Sequence, residues 1–82
     1  MFLVEIFYDN LPNRGEIFKR RICRNIDSIE LFIKNNIKKW TDYNRVIIDI
    51  DYFGNGQIYN YESQYERTPI FIIKTSKIGI ID

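Results

Sequence analysis

Apolar and polar residues alternate along the first segment of the chain. The even-numbered positions of FLVEIFY, residues 2–8, are apolar, and the odd-numbered positions are Leu3, Glu5 and Phe7. A period of two predicts a β-strand, and apolar groups on both sides predict that this strand lies inside a sheet. Turn-forming residues follow at 10–15, and residues 16–23 predict a second strand. The short connection favours an antiparallel hairpin.

Apolar residues at helical spacing predict one amphipathic helix after this hairpin. The predicted stripe consists of Ile29, Phe32, Ile33, Asn36, Ile37 and Trp40. Asp27 is the predicted cap, because Glu30 can return a hydrogen bond to it. Ile26 and Leu31 flank this cap at the positions of a hydrophobic staple. The helix is predicted to end within residues 41–44.

Three further strands are predicted after the helix, at residues 45–53, 57–62 and 70–75. Asn55 and Gly56 predict a two-residue type I′ turn between the first two of them, since both central positions of that turn need a positive φ. Ser63 to Pro69 is predicted to be a loop. The order ββαβββ predicts an α+β fold in one domain, residues 1–82, with the helix packed on a mainly antiparallel sheet.

A two-residue turn determines which residues oppose each other in the second hairpin. Counting outward from it places Asp49 opposite Glu62, and Asp51 opposite Asn60, on one face of the sheet. Directly opposed like charges destabilise a hairpin, so a basic neighbour or a bound partner is expected beside them. The opposite face is predicted to pack on the helix and carries Ile48, Ile50, Tyr52, Tyr59 and Tyr61.

The net charge is +1, but charges of opposite sign concentrate in two segments. Residues 14–24 contain five basic residues and one acid, and residues 42–66 contain five acids and one basic residue. The two segments either pair within the fold or face different partners.

The predicted acidic face consists of Asp49, Asp51, Asn60 and Glu62, and Tyr65 follows it as an exposed aromatic residue in a loop. An acidic surface with an exposed ring suits a protein partner that has a basic surface. A solvated face without a partner is the simplest alternative. An exposed edge at the first or last strand would also permit a homodimer.

The basic segment defines an alternative function, nucleic-acid binding. It contributes Lys19, Arg20, Arg21 and Arg24, which could grip phosphates. Strand alternation places Lys19 and Arg21 on one face and Arg20 on the other, and so divides the patch. Pairing of this strand with the acidic strand is therefore an equally good interpretation.

The segment DYFGNGQIYNYE, residues 51–62, resembles the calcium-binding loop of EF-hand proteins. Asp51, Asn55, Gly56 and Glu62 match the residue types of that loop. Phe53 falls where the loop needs an oxygen ligand. A β-hairpin explains the asparagine and the glycine without a metal. A weak calcium-binding regulator is the second alternative, and the favoured interpretation contains no metal or cofactor.

The residue types present argue against catalysis. The chain has no histidine, and it contains no Ser-His-Asp arrangement and no glycine-rich phosphate loop, so we expect no enzymatic activity. Cys23 is the only cysteine and is expected to be a small buried residue. The start of the chain lacks the features of a signal peptide, and no apolar run approaches the roughly 18 residues of a membrane span. We therefore expect a cytoplasmic protein without membrane contact.

These observations favour a small, non-enzymatic protein that acts by binding another protein. Ile, Asn, Lys, Tyr and Phe are abundant and alanine is absent, which indicates A+T-rich coding and is typical of phages and mobile elements. The most concrete hypothesis is an anti-CRISPR-like inhibitor of a host-defence or nucleic-acid enzyme, acting in the cytoplasm of the host cell. It rests on an analogy of size and composition.

Overall fold

The computed structural model describes residues 1–63 and 66–79, with the side chains of residues 62 and 63 excepted. The strands are β1 (Phe2–Tyr8), β2 (Ile17–Cys23), β3 (Val46–Ile50), β4 (Gly56–Ser63) and β5 (Glu66–Lys77), and the helix α1 is Ile26–Trp40. The elements follow one another as ββαβββ. The predicted α+β fold, with one helix on an antiparallel sheet, is confirmed.

The strands form one sheet in the order β2-β1-β5-β4-β3. β1 and β2 form one hairpin, β3 and β4 form another, and β5 pairs antiparallel with β1 and β4 between them. β1 is an interior strand, as its two apolar sides predict. The edges are β2 and β3, so the prediction of an edge at the first or last strand is wrong. The basic and acidic strands occupy opposite edges and do not pair with each other.

Helix α1 packs on one face of the sheet and encloses a core rich in isoleucine. Ile29 and Ile33 of α1 are fully buried, and the other members of the predicted stripe are half-buried. At one end of the core, the ring of Phe18 stacks on Phe71 with 4.9 Å between centroids and meets Trp40 edge-on at 5.5 Å. Among the described residues, the buried apolar strand residues are Val4, Ile6, Cys23, Ile58, Ile70, Phe71 and Ile73.

The helix begins at Ile26, before the predicted cap. Asn25 is the N-cap, and its Oδ1 accepts hydrogen bonds from the backbone N–H of Ser28 at 2.9 Å and from the Ser28 hydroxyl at 2.8 Å. Asp27 lies in the first turn, where its charge complements the helix dipole. Leu31 is exposed, so the predicted staple does not form. Asparagine and aspartate are equally good caps, and packing of Ile26 on the core selects the earlier start.

The β3–β4 connection is a loop of residues 51–55, so the predicted two-residue turn is wrong. Ile50 pairs with Gly56, and Asp49 pairs with Gln57. The left-handed conformation occurs at Gly54, with φ +82°, and at no non-glycine residue that the structure describes. The observed register differs from the predicted one by five residues. Each predicted cross-strand pair in this hairpin is therefore wrong. Because the shift is odd, it also exchanges the two faces of β4, whose tyrosines lie on the side turned away from α1 and not on the helix side as predicted.

β5 begins at Glu66, so residues 66–69 belong to the sheet and not to the predicted loop. Pro69 pairs with Tyr59 beside an irregularity in the β4–β5 ladder, and the ladder to β1 ends at the Tyr8–Phe71 pair. Proline is tolerated in a strand at such irregular positions. Pro69 therefore lies in the part of β5 that extends beyond β1, and the strand continues through it.

Candidate functional site

The predicted acidic face is not formed as one surface. Asp49 is exposed on the sheet face turned away from α1, where it pairs with Gln57 and not with Glu62. Asn60 lies on the α1 side of the sheet and is only 6% exposed, so it cannot contribute to that face. The backbone of Glu62 belongs to β4, but its side chain and the whole of Tyr65 lie outside the described residues.

The basic residues of β2 are divided between two surfaces, as predicted. Arg21 lies on the α1 side, with its guanidinium carbon 4.4 Å from the centroid of the Phe32 ring. Arg20 lies on the other side and forms an ion pair with Glu5 at 3.0 Å. The remaining exposed members of the predicted phosphate-binding segment are Lys19 and Arg24. These four residues therefore do not form one continuous basic patch.

The residues of the predicted calcium loop are also separated. The loop is flanked by the strands β3 and β4, whereas an EF-hand loop joins two helices. Glu62 lies six residues beyond Gly56 along β4, which places its backbone about 20 Å from the loop. Asp51 and Glu62 are thus too far apart to ligate one ion. Within residues 1–63 and 66–79, no three His, Cys, Asp or Glu side chains lie close enough together to hold one metal ion.

Cys23 is buried at the end of β2, as expected, with 5% of its surface exposed. Burial raises the pKa of the thiol, and the positive charge and hydrogen bond of Arg21 oppose this shift only in part. Desolvation therefore outweighs the nearby arginine, and the residue is a neutral thiol at neutral pH.

Two aromatic side chains project into solvent from the β3–β4 loop. Tyr52 is 95% exposed and Phe53 is 75% exposed. We call this pair the aromatic tip. The expectation that Tyr52 packs in the core is wrong, because the chain leaves the sheet after Ile50 and Tyr52 has no strand position.

The loop that carries the aromatic tip is held by hydrogen bonds at both ends. At its start, Oδ1 of Asp51 accepts from the backbone N–H groups of Phe53 at 2.8 Å and Asn55 at 3.0 Å. At its end, the Gly54 carbonyl oxygen accepts from the Thr75 hydroxyl at 2.6 Å. Oδ1 of Asn55 accepts from the backbone N–H of Thr75 at 2.8 Å. These bonds tie the loop to itself and to β5.

Acidic side chains line a groove beside Tyr52, one of the two rings of the aromatic tip. A shallow groove between the start of α1 and the β3–β4 loop is lined by Ile26, Asp27, Glu30, Ile50, Asp51 and Tyr52. This acidic groove contains three carboxylates and no basic residue. Glu30 pairs with Lys34 at 2.9 Å on the helix surface, and such exposed pairs are weak.

The tip and the groove were not predicted as a site, although Asp51 belongs to both the predicted acidic face and the groove. One local signal was available. An aspartate often accepts hydrogen bonds from backbone N–H groups that follow it, and this pattern starts a loop. At Asp51 it would have predicted that β3 ends before Tyr52 and Phe53.

Comparison of the chain with protein families, curated proteins and solved structures finds no match. The candidate function therefore depends on the geometry of this chain alone. The helix of the described residues is not long and apolar enough to cross a membrane.

Proposed function

We propose that the protein is a non-enzymatic binding protein whose aromatic tip and acidic groove contact a protein partner with a basic surface. The observation that carries this proposal is the exposure of Tyr52 and Phe53 on a loop held by hydrogen bonds. Rings exposed to this extent contribute little to the stability of the fold. Exposed aromatic side chains are typical anchors of protein interfaces, where they fill pockets of the partner.

The hydrogen bonds beneath the tip support an interaction role. Binding is weakened when a loop must become ordered at the interface, because conformational entropy is lost. Asp51, Asn55 and Thr75 restrict the loop before any partner arrives. A pre-ordered loop therefore presents both rings at a smaller entropic cost.

The carboxylates of the acidic groove indicate the chemistry of the partner. Asp27, Glu30 and Asp51 would attract arginine or lysine side chains and would repel acidic surfaces. Tyr52 borders the same groove, so a cation bound there would also lie close to a ring. Inhibition of a host-defence or nucleic-acid enzyme is one role for such binding, and composition alone suggests that role.

The proposal can be tested by selecting displayed peptides on the immobilised protein. We expect the selected peptides to combine arginine or lysine with large apolar residues. Calorimetry would then compare their affinity for the wild type and for the Tyr52→Ser/Phe53→Ser variant. Loss of both rings should weaken binding by about 30-fold or more, since interface anchors contribute about 2 kcal/mol or more.

Leu11 provides a matched control. It is 83% exposed in the loop that follows the end of β1, whereas the aromatic tip lies near Phe2 at the start of β1. Leu11→Ser removes an exposed apolar side chain far from the tip and should leave peptide affinity unchanged. Asp27→Asn should reduce affinity and its dependence on salt. Equal affinity of the selected peptides for the wild type and the double variant would contradict the proposal.

A further inference from the structure

One face of the sheet packs on α1, and the other is exposed to solvent. We call this exposed face the open face. The register places Phe7 of β1 and both Tyr59 and Tyr61 of β4 on this face. All three are half-buried, so part of each side chain is accessible to solvent. Arg67 and Lys74 of the central strand β5 are exposed on the same face, opposite Tyr61 and Glu5 in the pairing.

Rings and cations of the open face form two pairs. The Lys74 ammonium lies 5.4 Å from the centroid of the Phe7 ring. The Arg67 guanidinium lies 5.1 Å from the centroid of the Tyr59 ring and donates a hydrogen bond to the Tyr59 hydroxyl at 3.3 Å. Both cations belong to β5, whereas the two rings lie on β1 and β4, whose strands are about 10 Å apart.

The balance of charge on the open face favours an anionic ligand near these rings. Among the side chains that the structure describes, two acids occupy strand positions on this face: Glu5, which pairs with Arg20 at 3.0 Å, and Asp49, on the edge strand β3. A third acid, Asp9, lines the groove beside Phe7. Beyond β1, Arg14 lines the same groove as Phe7 and Lys74, although it also pairs with Asp9 at 3.5 Å. Cations therefore lie beside the rings, and the acids are either paired with a cation or at the margin of the face.

Rings flanked by cations suit a polymer that carries flat bases and phosphates. Bases stack on aromatic side chains without regard to sequence, and the phosphates between them attract arginine and lysine. A duplex keeps its bases stacked inside and presents few base faces to a sheet. The arrangement on the open face thus matches a single strand better than a duplex.

From this geometry we infer that the open face binds single-stranded nucleic acid, with bases against Phe7 and Tyr59 and phosphates near Arg67 and Lys74. This inference goes beyond the proposed function, since it concerns the surface opposite α1 and does not require the aromatic tip. It also differs from nucleic-acid binding by the basic segment of β2.

Fluorescence anisotropy with a labelled oligothymidylate of about 12 nucleotides tests the inference at about 50 mM salt. We expect saturable binding that is at least about tenfold tighter than for a duplex of equal length. Arg67→Gln/Lys74→Gln should weaken binding by about tenfold and reduce its salt dependence. Tyr59→Leu, which keeps an apolar side chain, should weaken binding about fivefold if it unfolds at the wild-type temperature.

Lys38→Gln/Lys39→Gln is the control, because it removes two exposed cations from α1 and should change affinity by less than about twofold. Equal weakening by the control and the Arg67→Gln/Lys74→Gln variant would overturn the inference, as would equal affinity for the duplex. No binding at about 100 µM protein would also overturn it, since even non-specific affinities reach that range. A wild-type dimer that Tyr59→Leu dissociates in sedimentation would instead assign the open face to a second copy of the chain.

Discussion

The Thr75 hydroxyl donates a hydrogen bond of 2.6 Å to the carbonyl oxygen of Gly54, and this bond joins the β3–β4 loop to the central strand. Gly54 is buried, so its carbonyl group has exchanged water for this hydroxyl. The backbone N–H of the same threonine donates to the side chain of Asn55. One residue of β5 therefore holds the end of the loop through two separate donors.

Thr75→Val should reduce stability, because valine keeps the branched shape and removes the hydroxyl. A buried carbonyl group left without a partner costs about 1–3 kcal/mol, and the free energy of unfolding should fall by that amount. Urea denaturation measures the change. Ser76→Ala, at an exposed neighbouring position, should shift the free energy by less than about 0.5 kcal/mol. Equal effects of the two substitutions would show that the hydroxyl is not the cause.

Gly54→Ala should destabilise the protein more than Gly15→Ala. Both glycines have positive φ, at +82° and +88°, so alanine strains the backbone at either position. At Gly54 an added Cβ would also lie 2.8 Å from the Thr75 hydroxyl oxygen and 2.9 Å from Cδ1 of Ile29, whereas it meets nothing within 4 Å at Gly15.

The difference between the two glycine variants therefore isolates the crowding. Overpacking of this kind costs about 1–3 kcal/mol, and urea denaturation of both variants should show a difference of that size. Similar losses for the two variants would mean that the loop moves away from Ile29 without cost.

Asn25→Ala should destabilise the protein by about 1 kcal/mol, because it removes the acceptor for the Ser28 N–H at the start of α1. Asp27→Ala removes only a favourable charge from the first turn, which is worth about 0.3–1 kcal/mol at low salt and less at high salt. Thermal unfolding at two salt concentrations distinguishes these effects. A larger loss for Asp27→Ala at high salt would place the cap at Asp27.

Cys23→Ala should flatten the loss of stability at alkaline pH. Burial raises the pKa of this thiol in the folded state, so the unfolded chain releases the proton at a lower pH than the folded protein does. Below the ordinary pKa of a thiol both states hold the proton, and the raised pKa has no effect on stability. As pH rises above that value, the wild type loses stability that the variant cannot lose.

Urea denaturation of the wild type and Cys23→Ala between about pH 7 and pH 10 measures this contribution as a difference in slope. The other side chains are common to both proteins, so their contributions largely cancel in this difference. Parallel pH profiles would show that the thiol ionises equally in both states.

The sequence predicts elements whose pattern is local and repeated. Strand β1 and the buried stripe of α1 follow from periodicity alone, because each turn or pair of residues repeats the same signal. The predicted cap of α1, Asp27, lies two residues after the observed cap, Asn25, since asparagine and aspartate are equally good caps. The extension of β5 to Glu66 depends on its pairing with β4, and no local pattern reports that pairing.

The local signal at Asp51 marks the end of β3, but the Asn55–Gly56 pattern predicts the wrong register for the β3–β4 hairpin. Asn55 and Gly56 are the strongest short turn signal, yet Asn55 serves a tertiary contact and Gly56 is the first residue of β4, packed closely on β3. Asn55 binds the backbone of Thr75, and an added Cβ at Gly56 would overlap the backbone carbonyl of Asp49. The predicted acidic face failed for the same reason, because its composition followed from that register.

The central position of β5 affects the order in which the sheet can assemble on the ribosome. The β1–β2 and β3–β4 hairpins are synthesised before β5, and each can form from neighbouring residues. The two hairpins do not pair with each other, because β5 lies between them in the sheet. Phe2, the first residue of β1, pairs with Lys77, the last residue of β5. β5 is the last strand to be synthesised, so we expect the two hairpins to stay separate until it is available and the sheet to become cooperative only when β5 pairs with both.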